Sequence, residues 1–185
     1  MKKFLLSGLL LFPLCGWAQS PKESTSECAP MQNGKICYVD RVDMDGMSQK
    51  KIFKGISKWA KKNYAKDIFL SNIITNKKKH SLFISSKVEL LLNDTDKTIV
   101  KYKMNIVCEE GRYTATLTDI YYQYDPNNKK KYENIPAEDV IAHGGKHNKV
   151  ALIENPELFC NATYFYAESL FGEVFNSLDE GEIEN

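Results

Sequence analysis

The chain has 185 residues, 43% of them hydrophobic, and its 25 basic and 24 acidic side chains leave a formal net charge of +1. So even a balance gives no case for nucleic acid, which calls for a strongly basic domain, and the length suits one compact domain with a sizeable core. The apolar run from Phe4 to Leu14 is too short to cross a bilayer as a helix, so the chain is read as not an integral membrane protein.

Lys2-Lys3, that apolar run, and Gly16-Trp17-Ala18 before Gln19 have the layout of a secretory signal cleaved after Ala18. Residues 1–18 are therefore read as a signal peptide, and the mature chain as periplasmic or held in the cell envelope. Lipid attachment at Cys15 is disfavoured, because Leu14 stands where the lipid-modification signal wants a small residue. Cleavage takes away Lys2 and Lys3 and no acid, which moves the net charge from +1 to −1.

Residues 19–35 are rich in Ser, Pro and Gly and read as a flexible leader. Cys28, Cys37, Cys108 and Cys160 remain after cleavage, and an even number in an exported chain allows disulfides in three pairings. The favoured pairing joins Cys28 to Cys37, near in sequence, and Cys108 to Cys160, both on inward faces; free buried thiols acting as small apolar residues are the alternative. No Cys-x-x-Cys spacing is present, so a zinc cluster or thioredoxin-like site is not expected, and no cofactor is expected either.

Ile36 to Val42 is the first strand candidate, and Asp43-Met44-Asp45-Gly46 turns the chain toward a helix with Ser48 as N-cap. The Asp-x-Asp-Gly spacing does not make a calcium loop, because the first and twelfth positions would be Arg41 and Ile52 where carboxylates are required. From Ser48 to Lys66, Ile52, Phe53, Ile56, Trp59, Ala60 and Tyr64 recur at helical spacing. Lys50, Lys54, Lys58, Lys61 and Lys62 lie mostly opposite, as a solvated face or one that meets an anionic partner.

Ile68 to Thr75 and Ser81 to Leu92 form a strand pair around Asn76 to His80. A turn at Asn93 to Lys97 follows, which sets Leu90 opposite Val100 and Val88 opposite Tyr102. The central hairpin comes next. Val100, Tyr102, Met104, Ile106 and Cys108 alternate with Lys101, Lys103, Asn105 and Glu109, which marks a strand with one buried face. Pairing Glu109 with Arg112 across Glu110-Gly111 puts Tyr113, Ala115 and Leu117 on that face, and a loop of odd length would turn Arg112 inward. Glu110 is the weak point of a two-residue loop, since the usual turn wants Asn, Asp or Gly there, and a four-residue loop keeps the same pairing without that strain. Beyond Leu117 the apolar phase changes to Ile120, Tyr122 and Tyr124. Either a bulge near Thr118-Asp119 makes the switch and re-aims Asp119, or the strand runs past the core.

Residues 125–154 form a long loop segment in which Pro136 to Ile141 can add a helical turn. His143 and His147 flank paired glycines that oppose a chelating helix, so no metal site is expected. Asn155-Pro156 opens a final helix reaching about Leu178, with Cys160, Tyr164, Ala167, Phe171, Val174 and Leu178 on one face, and residues 180–185 are an acidic tail. The order is strand, helix, four antiparallel strands, helix, within one α+β domain over residues 36–179.

Two stretches in that order resemble a family of exported Bacteroidetes proteins, a domain of unknown function with a TATA-box-binding-protein-like fold. They are Val42 to Trp59, VDMDGMSQKKIFKGISKW, and Glu109 to Ile120, EEGRYTATLTDI; the likeness runs from about Ile36 to Tyr124, and Ile68 to Leu92 departs from the family pattern. The resemblance implies an antiparallel sheet with its helices packed on one face, and an envelope location. It implies no catalytic residue, and a fold shared with DNA-binding proteins carries no DNA binding.

The function expected is a noncatalytic binding module whose partner is an envelope protein or an anionic envelope component. The expected surface is the outer sheet face, where Phe83, Leu91, Ile99, Val107, Ile120, Tyr122 and Tyr124 mix with Lys87, Lys101, Lys103 and Arg112, unless residues 125–154 cover it. The alternative is a hydrolase of an envelope polymer that works through carboxylates such as Asp119 and Glu138. No Gly-x-Ser-x-Gly, no His-Glu-x-x-His and no persuasive Cys-His pair supports it.

Overall fold

Residues 28–124 and 133–179 are described by the computed structural model, so the expected signal peptide, Cys15, the first part of the leader and the tail lie outside them. The order is β1 (Met31–Gln32), β2 (Lys35–Ile36), β3 (Tyr38–Asp43), α1 (Gln49–Tyr64), β4 (Ser71–Asn76), β5 (Ser81–Leu91), β6 (Lys97–Glu109), β7 (Arg112–Gln123), β8 (Ile135–Pro136), α2 (Ala137–Ile141), a 3-10 turn (Ala142–Gly145) and α3 (Pro156–Asp179). The main sheet runs β3-β7-β6-β5-β4, with β8 added beside β7, and every pairing in it is antiparallel. The three helices lie on one face of this α+β sheet.

The central hairpin pairs Glu109 with Arg112, so the loop is even, as expected, and has two residues rather than four. Its positive φ falls on Gly111 (67°), and Glu110 escapes the strain expected there. Glu110 instead braces the neighbouring helix, where its Oε2 accepts the N–H of Gln49 at 3.0 Å, at the start of α1. Met44 N–H donates to Gly111 O at 2.7 Å and Gly111 N–H to Met47 O at 3.1 Å, while Ser48 Oγ caps the helix through Lys51 N–H. The hairpin tip and the helix start therefore hold each other, because an acid near exposed helix N–H groups meets both their hydrogen-bonding need and the helix dipole.

Val100, Tyr102, Met104, Ile106 and Cys108 of β6 and Tyr113, Ala115 and Leu117 of β7 are all buried beneath the helices. Ile52, Ile56, Trp59 and Ala60 of α1 and Phe159, Ala167, Leu170, Phe171, Val174 and Leu178 of α3 close the core from above. The β5–β6 turn corrects one expectation, since Leu91 pairs with Lys97 and Val88 with Val100, so the loop is residues 92–96. Leu92 is drawn into the core, and Asn93 Oδ1 closes the turn by accepting N–H bonds from Thr95 and Asp96 at 2.9 and 2.8 Å. A shift of two along the partner keeps every side chain on its face, so the burial pattern stood although the partners changed.

A bulge interrupts β7, where Lys103 pairs with Thr118 but Lys101 with Tyr121, one residue more on β7 than on β6. Asp119 takes φ 49° there, a left-handed conformation that Asp tolerates better than most residues. The extra residue turns Ile120 and Tyr122 into the core, both fully buried, and sends Tyr121 outward. Their expected place on the outer face is thereby corrected.

Part of the expected flexible leader is ordered. Met31 pairs with Ile36 and Gln32 with Lys35 around Asn33-Gly34, whose φ values of 52° and 73° suit the tight turn that closes hairpins of this length. Ile36 is buried, and its N–H donates to Glu138 Oε1 at 3.0 Å.

The disulfide pairing is also corrected: Cys28 bonds Cys160, and Cys37 and Cys108 are free and buried. The small hairpin carries Cys28 away from its neighbour in sequence to the first turns of α3, where Tyr38 Oη donates to Cys28 O at 2.7 Å. Cys108 sits at the hairpin end of β6 beneath the start of α1, where Gln49 Nε2 donates to its carbonyl at 2.7 Å. Burial pushes its thiol up to about 12.

Of residues 125–154, those from 125 to 132 lie outside the described residues, Asn134 reaches Lys101 on the outer face, and α2 turns to the other side. Ala137, Val140 and Ile141 are buried, and α2 packs against α3 and β7 on the helical side.

Candidate functional site

The register sets the outer face row by row. Lys87, Lys101 and Tyr121 form one row across β5, β6 and β7; Ser85, Lys103 and Thr118 form the next; Phe83, Asn105, Thr116 and Val39 follow. Val107 and Ile74 are 37% and 56% exposed on the same face. Lys87 stands directly opposite Lys101, an arrangement of like charges that opposes pairing. Lys101 Nζ donates to Asn134 Oδ1 at 2.9 Å, and neither lysine makes an ion pair among the described residues.

Asp119, re-aimed by the bulge, binds Lys103 Nζ through Oδ2 at 2.9 Å and Lys35 Nζ through Oδ1 at 3.3 Å. The hydrogen bond from Lys103, aided by Lys35 and opposed by partial burial, holds its carboxyl below the usual carboxylate range. Lys35 belongs to the stretch expected to be flexible, and only the Asn-Gly turn at Asn33 signals that it could be fixed.

Of the residues expected to form the binding surface, Lys101, Lys103 and Arg112 stand outside. Arg112 Nε pairs with Glu109 Oε2 at 3.0 Å at the hairpin end. Ile120 is in the core, and Tyr122 is buried with its hydroxyl 2.7 Å from Thr163 Oγ1. Tyr124 leans on Phe159, ring centroids 5.1 Å apart, and its Oη donates to Asp96 Oδ2 at 2.9 Å. Tyr121 and the Lys87–Lys101 opposition were missed, because both depend on the bulge and on the cross-strand register.

The carboxylates proposed for hydrolysis are differently engaged. Asp119 meets two ammonium groups, and Glu138 accepts the Ile36 N–H. A cleft of about 270 Å³ lies elsewhere, lined by Asn93, Asp96, Tyr124, Ile153, Glu154 and Phe159 among others, and includes neither carboxylate. Among the described residues no three His, Cys, Asp or Glu side chains are grouped to hold a metal ion, and no helix is long and apolar enough to cross a membrane.

The family model described as a domain of unknown function (DUF4468) with TBP-like fold matches residues 38–123. A solved TBP-like protein from Parabacteroides distasonis is 59% identical, with a TM-score of 0.80, over 83% of this chain and 98% of that one. A DUF4468 family protein from Bacteroides ovatus, 21% identical, shares the fold with a TM-score of 0.70 over 82% of this chain and 91% of its own. No curated protein matches the chain.

Proposed function

The chain belongs to the DUF4468 family, with its TBP-like fold, and from that premise we propose that it is a noncatalytic binding module of the cell envelope that takes an anionic partner on its outer sheet face. The observation that carries this reading is the opposition of Lys87 and Lys101 on the face away from the helices. Like charges at directly opposed strand positions cost stability in the free protein, and an anion bound at this row relieves that repulsion. The apolar neighbours Ile99 and Tyr121 add contact area around the charged pair, and Phe83 lies two rows away on the same face.

Export rests on the opening residues and is supported by the Cys28–Cys160 disulfide, since such bonds persist in oxidising compartments. A noncatalytic role is supported by the engagement of Asp119 with Lys103 and Lys35, which leaves that carboxylate occupied as an ion-pair partner. The test is retention of the mature chain on a polyglutamate resin. Wild type is expected to bind and to elute with salt, and a Lys87→Glu, Lys101→Glu variant to pass through. Identical elution of the two proteins would remove the proposal.

A further inference from the structure

The turn between α1 and β4 presents Ile68, Phe69 and Leu70 to solvent, 80%, 86% and 45% exposed. Three consecutive large apolar side chains in water are a fault in a protein surface unless they have a use. The turn is held by its own hydrogen bonds. Asp67 Oδ1 accepts the N–H groups of Phe69 and Leu70 at 2.9 and 3.3 Å, Asp67 O accepts Ser71 N–H at 3.0 Å, and Leu70 O accepts Lys87 N–H at 3.0 Å.

Basic residues precede this prong in the chain and stand at its base. Lys61 and Lys62 occupy the last turn of α1, Lys66 follows it, and the backbone bond to Leu70 brings in Lys87, with Lys101 across from it. Asp67 is the one acid between Lys61 and Leu70, and its Oδ1 is engaged by the backbone.

We propose that this turn docks the protein on a bilayer with anionic headgroups: Ile68, Phe69 and Leu70 enter the apolar boundary while Lys61, Lys62, Lys66 and Lys87 face lipid phosphates. A stable protein interface buries roughly 800 Å² on each partner in a matched surface, far more than a three-residue projection presents. A bilayer needs no matched pocket, and a few apolar anchors with adjacent lysines give reversible attachment to anionic lipid. The inference names the partner class of the outer-face reading and rests on it through the shared Lys87–Lys101 pair.

Co-sedimentation of the mature chain with vesicles of phosphatidylglycerol and phosphatidylcholine, beside vesicles of phosphatidylcholine alone, tests it. Wild type is expected to favour the anionic vesicles, and an Ile68→Ser, Phe69→Ser variant, changed only at exposed positions, to bind them roughly tenfold more weakly or less while keeping its retention on polyglutamate. Serine-variant binding equal to wild type overturns the prong. So does wild-type retention on polyglutamate with no vesicle binding, which leaves the outer-face reading standing. A dimer in sedimentation that the serine changes convert to a monomer, with vesicle binding unaltered, overturns the prong in favour of a second copy of the chain.

Discussion

The hydroxyls of Tyr122 on β7 and Thr163 on α3 lie 2.7 Å apart, with both side chains buried between the sheet and the last helix. Neither hydroxyl can turn to water, so removing one leaves the other in an apolar interior. Tyr122→Phe and Thr163→Val should each cost about 1–3 kcal/mol. The double variant should fall short of the sum by about 0.5 kcal/mol or more, because the second change removes a group the first had stranded. Urea unfolding of the four proteins of this cycle measures the coupling, and strict additivity would count against the bond.

The bond between Cys28 and Cys160 spans 132 positions. Closing a loop that long removes much unfolded-state freedom, by a chain-entropy estimate of roughly 4–5 kcal/mol. Nonreducing peptide mapping should recover Cys28 joined to Cys160, with Cys37 and Cys108 as thiols. Cys28→Ser should lower the denaturation midpoint markedly, and Cys37→Ser should leave the crosslink intact. A Cys28–Cys37 peptide would contradict the structure.

The carboxyl of Asp119 is depressed chiefly by its hydrogen bond from Lys103. A group whose folded pKa lies below its unfolded value stabilises above the unfolded pKa, about 3.9 for Asp, and that contribution is lost as pH falls through the folded pKa. Asp119→Asn keeps a residue that tolerates the φ of 49° and removes only the charge. Wild type should therefore exceed the Asn variant in stability near neutral pH, and the gap should close in strong acid. A gap that persists unchanged under acid would show that the ion pairs are not its source.

Glu110 at the hairpin tip accepts the Gln49 N–H. Glu110→Ala should destabilise by about 1 kcal/mol, the usual loss when a helix terminus forfeits a side-chain acceptor. Glu110→Gln, which keeps the acceptor and gives up the charge, should lose less. Equal effects from the two changes would assign the contact to electrostatics alone.

Much of the fold is legible in the order of residues. Alternation placed Met104 and Leu117 in one interior, and spacing near 3.6 placed Ile52, Ile56 and Trp59 against it. Both periods follow from local backbone geometry. The even loop at Glu110-Gly111 followed as well, because an odd one would have exchanged the faces of the strand. The candidate surface was less legible: Lys101 and Lys103 stood where expected, yet Tyr122 and Ile120 lay in the core.

The amino-acid order by itself determined the main strands and helices, α1, α3 and the run from β5 to β7, and which of their faces are apolar, since these depend on neighbours a few positions apart. Three features were settled by tertiary closure, the first of them between two readings that the change of apolar phase beyond Leu117 had left open. One added residue at Asp119 exchanges Tyr121 and Tyr122 between faces; Cys28 meets Cys160 rather than Cys37; and Lys87 confronts Lys101. Each depends on where distant segments come to rest against one another, and the cost or gain of such a meeting is not carried by the periodicity of either segment.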